Sequence, residues 1–163
     1  MMTDLVFQYI RQTRKVFIEL VNGLSNDELN TIPEGFRNNI AWNFGHIVVS
    51  TLALCYRRTQ VQPDRQIQFV EAYAKGTQPE HWISDSEIHA LKSQALNTID
   101  LIEQDYKNGV FATVAPYSTA TFGLEMDTIE EVLVMSLAHD NLHLGYATAL
   151  RKAVQVQKSQ LHT

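Results

Sequence analysis

Residues 40–54 place apolar side chains at Ile40, Ala41, Trp42, Phe44, Ile47, Val48, Val49, Leu52, Ala53 and Leu54. At a helical period these positions point in nearly every direction, and a helix that is apolar all round has to be enclosed by other elements. The apolar run continues to Tyr56 but is interrupted by Asn43, His46, Ser50 and Thr51. Residues 40–56 also fall short of the roughly 20 that cross a bilayer, so a central helix of a globular bundle is expected, with no membrane partner. The chain has 163 residues, enough for one domain over 1–163, and its 45% hydrophobic content can fill a core around that helix.

Three further segments carry a helical period. Over residues 3–24, Val6, Ile10, Phe17, Leu20, Val21 and Leu24 recur at three- and four-residue steps, and Gly23 marks the end. Ser25 to Glu28 has the capping-box pattern for a short turn, which Pro33 and Gly35 stop; Asn38 or Asn39 then caps the central helix. Ser84 with Glu87 repeats the capping pattern ahead of Ile88, Leu91, Ala95, Leu96, Ile99 and Ile102, a stripe that ends at Asn108-Gly109. Asp127, with Glu130 in the capping-box position, starts a last helix whose single face carries Ile129, Val132, Leu133, Ser136, His139, His143, Tyr146, Ala147 and Leu150. Residues 59–82 form a crossover between helices two and three, too long for a tight hairpin and placed to lie over one end. Residues 110–126, with Pro116 and Gly123, read as a loop with a short extended pair. The fold class is therefore all-α, a four-helix bundle with a long crossover between helices two and three.

Charge narrows the partners. Thirteen Lys and Arg against eighteen Asp and Glu give −5, the wrong sign for binding phosphate backbones, so nucleic acid is not expected. One cysteine, Cys55, excludes an intramolecular disulfide, and its apolar neighbours Leu52, Leu54 and Tyr56 supply no activating charge, which reads as an inert core thiol. The first residues lack a basic segment followed by an apolar one and a cleavage site, so a cytoplasmic location is expected.

His139 and His143 in the run HDNLH stand four residues apart on the last helix, where two imidazoles can point at one ion. Spacing alone is weak, but both interrupt a stripe that faces the interior, where a neutral imidazole without partners costs about a few kcal/mol. His46 lies well inside the most apolar helix and adds a third imidazole. Three histidines from two helices would hold a divalent ion and leave a position open, as catalytic zinc sites do. The plainer alternative is that His46 is a core histidine hydrogen-bonded to a serine or a backbone carbonyl. HDNLH has Asp140 where the zinc-protease motif HExxH has its glutamate base, and no further ligand glutamate follows. The Glu-x-x-His units of a ferritin-like di-iron centre are absent from the chain.

The runs Pro33-Glu34-Gly35-Phe36, Asn39 through Ile47, Gly76-Thr77-Gln78-Pro79, His139 through Gly145, and Ala149-Leu150-Arg151-Lys152 resemble the DinB/YfiT-like family of metal-dependent bundle proteins over most of the chain. That resemblance implies one divalent ion, zinc or nickel, held by one histidine on the second helix and a His-x3-His pair on the last, which here are His46, His139 and His143. It also implies a small-molecule substrate and, as in some characterised members, a low-molecular-weight thiol cosubstrate; a homodimer is an expectation of the resemblance alone. An open metal position can favour a thiolate and present it to an electrophile, so a thiol-dependent S-transferase is the leading reading. A metal-dependent hydrolase and a non-catalytic metal- or ligand-binding module are the alternatives.

Asn43 one turn before His46, Asp140 beside His139 and Tyr146 three residues after His143 are candidates for lining the site or orienting its ligands. For Asp140 the choices are an acceptor for an imidazole N–H or a solvated helix flank. Trp42, Phe44 and Trp82 are expected in the core or the pocket wall, and His81, His89 and His162 on the surface.

Overall fold

The computed structural model describes residues 2–160. Its long helices are α1 (Met2–Asn22), α3 (Ile40–Leu52), α5 (Asp85–Lys107) and α6 (Ile129–Gln160), with short helices α2 (Asn26–Asn30) and α4 (Val70–Tyr73) in the connections. The long helices form the expected four-helix bundle. α6 packs on α1 and α3, and α5 packs on the same two from the other side, so α1 and α3 lie diagonally across the bundle. Val110 to Met126 contains the expected extended pair, β1 (Tyr117–Ser118) antiparallel to β2 (Glu125–Met126), with Tyr117 opposite Met126. No described helix is long and apolar enough to cross a membrane.

Local chemistry explains most boundaries. Ser25 and Glu28 exchange both bonds of a capping box at the start of α2. The Asn39 side chain accepts from the Trp42 amide at 2.8 Å, which places the start of α3 at Ile40. Ser84 caps α5 through the Glu87 amide, but the Glu87 carboxylate is drawn away to the Tyr73 hydroxyl at 2.7 Å. The last helix starts one residue later than its sequence suggests. Thr128, not Asp127, is the cap: its hydroxyl accepts from the Glu131 amide, and the Thr128 amide donates in return to the Glu131 carboxylate. Asp127 donates its own amide to the same carboxylate, so two rival capping boxes one residue apart resolve in favour of Thr128.

Beyond Leu52, α3 widens into a π-helical segment, Ala53–Arg58, which buries Cys55 and Tyr56 and ends on Arg58. The interior is divided in two. One apolar cluster holds Phe17, Phe44, Ile47, Leu91 and Leu150, and the other holds Ile10, Tyr56, Ile99, Val132 and Leu133. Between them runs a belt of buried polar groups, including Arg14, Thr51, Thr98, Ser136, His139 and Asp140. The candidate site is one side of that belt.

Candidate metal centre

α3 positions the first imidazole. Trp42, one turn before His46, stacks on its ring with centroids 4.6 Å apart and planes 12° apart. The indole is itself held, because Trp42 Nε1 donates to Thr77 Oγ1 at 3.0 Å and thereby uses the Gly76-Thr77-Gln78-Pro79 run. On its other edge, His46 Nδ1 lies 2.7 Å from the Tyr73 carbonyl at the end of α4. Gly45 makes that approach possible: a Cβ there would stand 2.5 Å from the Tyr73 ring. The crossover thus reaches the bundle through a notch that only glycine leaves open. A carbonyl can only accept, so Nδ1 carries the proton and Nε2 keeps its lone pair.

α6 supplies the other two. His143 Nδ1 lies 2.8 Å from Asn43 Oδ1. The Asn43 amide is oriented by its nitrogen, which donates to the Asn39 carbonyl at 2.8 Å and to Asn38 Oδ1 at 3.1 Å, so the oxygen must face His143. His143 therefore has the same tautomer as His46. The rings converge, with centroids 5.2 Å apart for His46 and His139, 4.7 Å for His46 and His143, and 4.6 Å for His139 and His143. One nitrogen from each lies within 4.8 Å of the other two. His139 Nδ1 is buried without a hydrogen-bond partner.

Electrostatics keep all three neutral. Burial pulls the His46 pKa down, against a smaller opposing effect of the Tyr73 carbonyl. Burial, then the neighbouring His46 and Arg14, brings His139 to about 4; burial with His139 and His46 brings His143 to about 3. Neutral imidazoles that face one another present lone pairs to a common point, which a cation relieves and a proton does only at the cost of burying its charge. The donor set fits a divalent ion, with Asn43 and the Tyr73 carbonyl fixing the rings from behind. A cavity of about 380 Å³ opens onto the three histidines, and its lining contains no Asp or Glu.

The other expectations divide. Asn43 is fully buried and holds His143. Asp140 is neither an imidazole acceptor nor a solvated flank: it is fully buried and bonded to Arg14 Nε at 2.9 Å. The reason is phase, since Asp140 stands a heptad after Leu133 and before Ala147, both buried. Tyr146 is 40% exposed, meets Phe36 edge-on with centroids 5.9 Å apart, and does not line the cavity. Trp82 is 61% exposed and donates to Asn26, so it is not core. Phe44 is core, and Trp42 is wall. His81 and His89 are on the surface, and His162 lies outside the described residues. Cys55 is buried and pushed up to about 12 by desolvation, as an inert thiol should be. The serine and carbonyl partners of a core histidine do exist at His46, where Ser50 Oγ lies 3.3 Å from Nε2, but two further imidazoles share the same space.

Several contributors were not read from the sequence. Tyr73, Ser50, Arg58 and Lys75 reach the site or its cavity from positions with no motif. Arg14 had a visible signal, because it lies four residues after Ile10 and three before Phe17 on the buried stripe of α1.

The family model described as DinB superfamily matches residues 9–147 of the chain. No curated protein matches it.

Proposed function

The chain belongs to the DinB superfamily, and on that premise we propose that it is a metal-dependent enzyme that transfers a small thiol to an electrophile. In this reading His46, His139 and His143 hold one divalent ion, zinc or nickel, and the adjoining cavity takes the reactants. The ion, when bound, would supply a Lewis acid that lowers the pKa of a thiol placed beside it. The chain's own part is to present three neutral donors and to exclude bulk water. Asn43 and the Tyr73 carbonyl hold two ring N–H groups, so the opposite nitrogens stay unprotonated. In the transfer the thiol sulfur forms a bond to the electrophilic carbon, the leaving group departs with the bonding pair, and the thiol proton passes to solvent.

The observation that carries the choice of thiol over water is the cavity lining, in which no carboxylate stands beside the histidines. A carboxylate base assists hydrolysis by taking a proton from water, as the glutamate of HExxH does, and none lines this cavity. The neighbouring carboxylate, Asp140, is fully buried against Arg14 and does not line the cavity. A thiol is far more acidic than bulk water and depends less on such a base.

The test is metal analysis of protein purified without an affinity tag, followed by conjugation assays with low-molecular-weight thiols. One ion per chain and thiol-dependent conjugation that His143→Ala abolishes are expected. Ester or amide cleavage without thiol dependence would replace the transferase with a hydrolase, and metal binding without turnover across a broad panel of electrophiles would leave a binding module.

A further inference from the structure

The charge at the mouth of the histidine cavity runs against the charge of the chain. The protein carries −5 overall, yet the charged side chains in the cavity lining are Arg58 and Lys75. They arrive from unrelated elements, Arg58 at the end of the π segment and Lys75 two residues after α4. Arg58 is held in place. Its guanidinium lies 5.1 Å from the centre of the Tyr117 ring, and Nη2 donates to the Ser118 carbonyl at 3.2 Å, which leaves most of the fork's donors open. Lys75 is exposed and makes no ion pair among the described residues. Thr119, in the turn after β1, contributes a buried hydroxyl to the same lining that has no hydrogen-bond partner among the described residues.

Between this rim and the histidines the wall is aliphatic, with Val49, Leu54, Val70 and Met135. A volume of about 380 Å³ is near the small end of metabolite pockets. Desolvating a carboxylate is costly unless it meets a positive charge and hydrogen-bond donors, and the rim supplies both. We propose that the ligand of this cavity is a small amphipathic carboxylate, its anionic head held by Arg58 and Lys75 and its other end directed to the three histidines. The direction of the ligand rests on the metal-centre reading above; the recognition of its head by the rim does not.

The probe is hexanoate on the metal-free protein, where a carboxylate cannot bind an ion instead, with hexanol and hexyl phosphate as comparisons in calorimetric or NMR titrations. Hexanoate should bind roughly tenfold or more tightly than hexanol and weaken as salt is added. The double substitution Arg58→Gln with Lys75→Gln should erase the preference while helical content is kept, since both side chains are exposed. Equal affinity for hexanoate and hexanol, no hexanoate binding at millimolar concentration, or a preference that survives the double substitution would overturn the proposal. Tighter binding of hexyl phosphate would overturn the carboxylate assignment. Separately, cobalt(II) uptake that is indifferent to His143→Ala would sink the metal centre and leave the hexanoate result standing.

Discussion

Along α6, His139 and Asp140 are consecutive and both buried, but they face clusters of opposite kind. Asp140 meets Arg14, whose guanidinium donates to Asp140 at 2.9 Å, to the Ala95 carbonyl at 2.9 Å, to the Ile47 carbonyl at 3.1 Å and to Thr51 at 2.7 Å. Those bonds tie α1 to α3, α5 and α6 through a group with no exposure at all. Each guanidinium nitrogen there donates to an acceptor, while Asp140 Oδ1 is buried without a hydrogen-bond partner among the described residues. Among the histidines, acceptors meet acceptors: two Nδ1 protons are used from behind, and the remaining lone pairs converge on a shared space beside a cavity. Burial is common to both clusters, so burial does not separate structure from function. The kind of neighbour differs: Asp140 faces a cation, Arg14, whereas the imidazole lone pairs face one another, an arrangement that a bound cation would relieve.

The largest break in this comparison comes from Asp140→Ala, which strands the Arg14 charge. We expect a loss of about 3–5 kcal/mol in urea unfolding of the metal-free protein. A loss under about 1 kcal/mol would mean that Arg14 is satisfied without its carboxylate. Next in size, His139→Ala, His143→Ala or His46→Ala should lower metal affinity by more than about 100-fold while changing metal-free stability far less than Asp140→Ala does. Full metal occupancy in each single variant would dissolve the site, and normal binding in His46→Ala alone would reduce it to a pair on α6. Asn43→Ala removes a support rather than a ligand, so about a 10–100-fold fall in affinity is expected, with occupancy recovered at high metal concentration. An unchanged dissociation constant would show that the Asn43 contact does not orient His143.

Smallest, for each histidine and each unit of pH, is the effect of acid on stability. Unfolded imidazoles take up protons near pH 6.5, whereas folded His139 and His143 stay neutral down to about 4 and about 3. The unfolded chain therefore binds more protons below pH 6.5, and stability falls as pH falls, by up to about 1.4 kcal/mol per pH unit for each histidine. Chemical unfolding of the metal-free protein at pH 7 and 5.5 measures this. His139→Ala and His143→Ala should flatten the slope, and an unchanged slope in both would assign the acid sensitivity to other groups.

Much of the bundle was legible in the sequence because its signals are local. A capping residue and its partner three positions on, or an apolar stripe at a 3.6 period, need no knowledge of the rest of the chain; Ser25, Asn39 and Ser84 cap where such patterns stand. The error at Asp127 was also local, two overlapping caps that pattern alone could not rank. The three histidines were nameable as candidates because each interrupts an apolar face. Trp82 misled because an aromatic residue in a connection has no periodicity to say which way it points.

By itself, then, the order of residues determined an all-α bundle, its central helix and three imidazoles directed inward, since each of these follows from period, capping and the cost of burying polar groups. Only the tertiary structure decided what those imidazoles meet. The Tyr73 carbonyl comes from 27 residues away and the Asn43 contact to His143 spans 100, and both depend on how the crossover settles against Gly45 and how α6 lies on α3. The same packing gave Asp140 to Arg14 across 126 residues and set two cations at the mouth of the cavity. Contacts at such separations are chosen by the packing of whole helices, a property that no window of sequence contains.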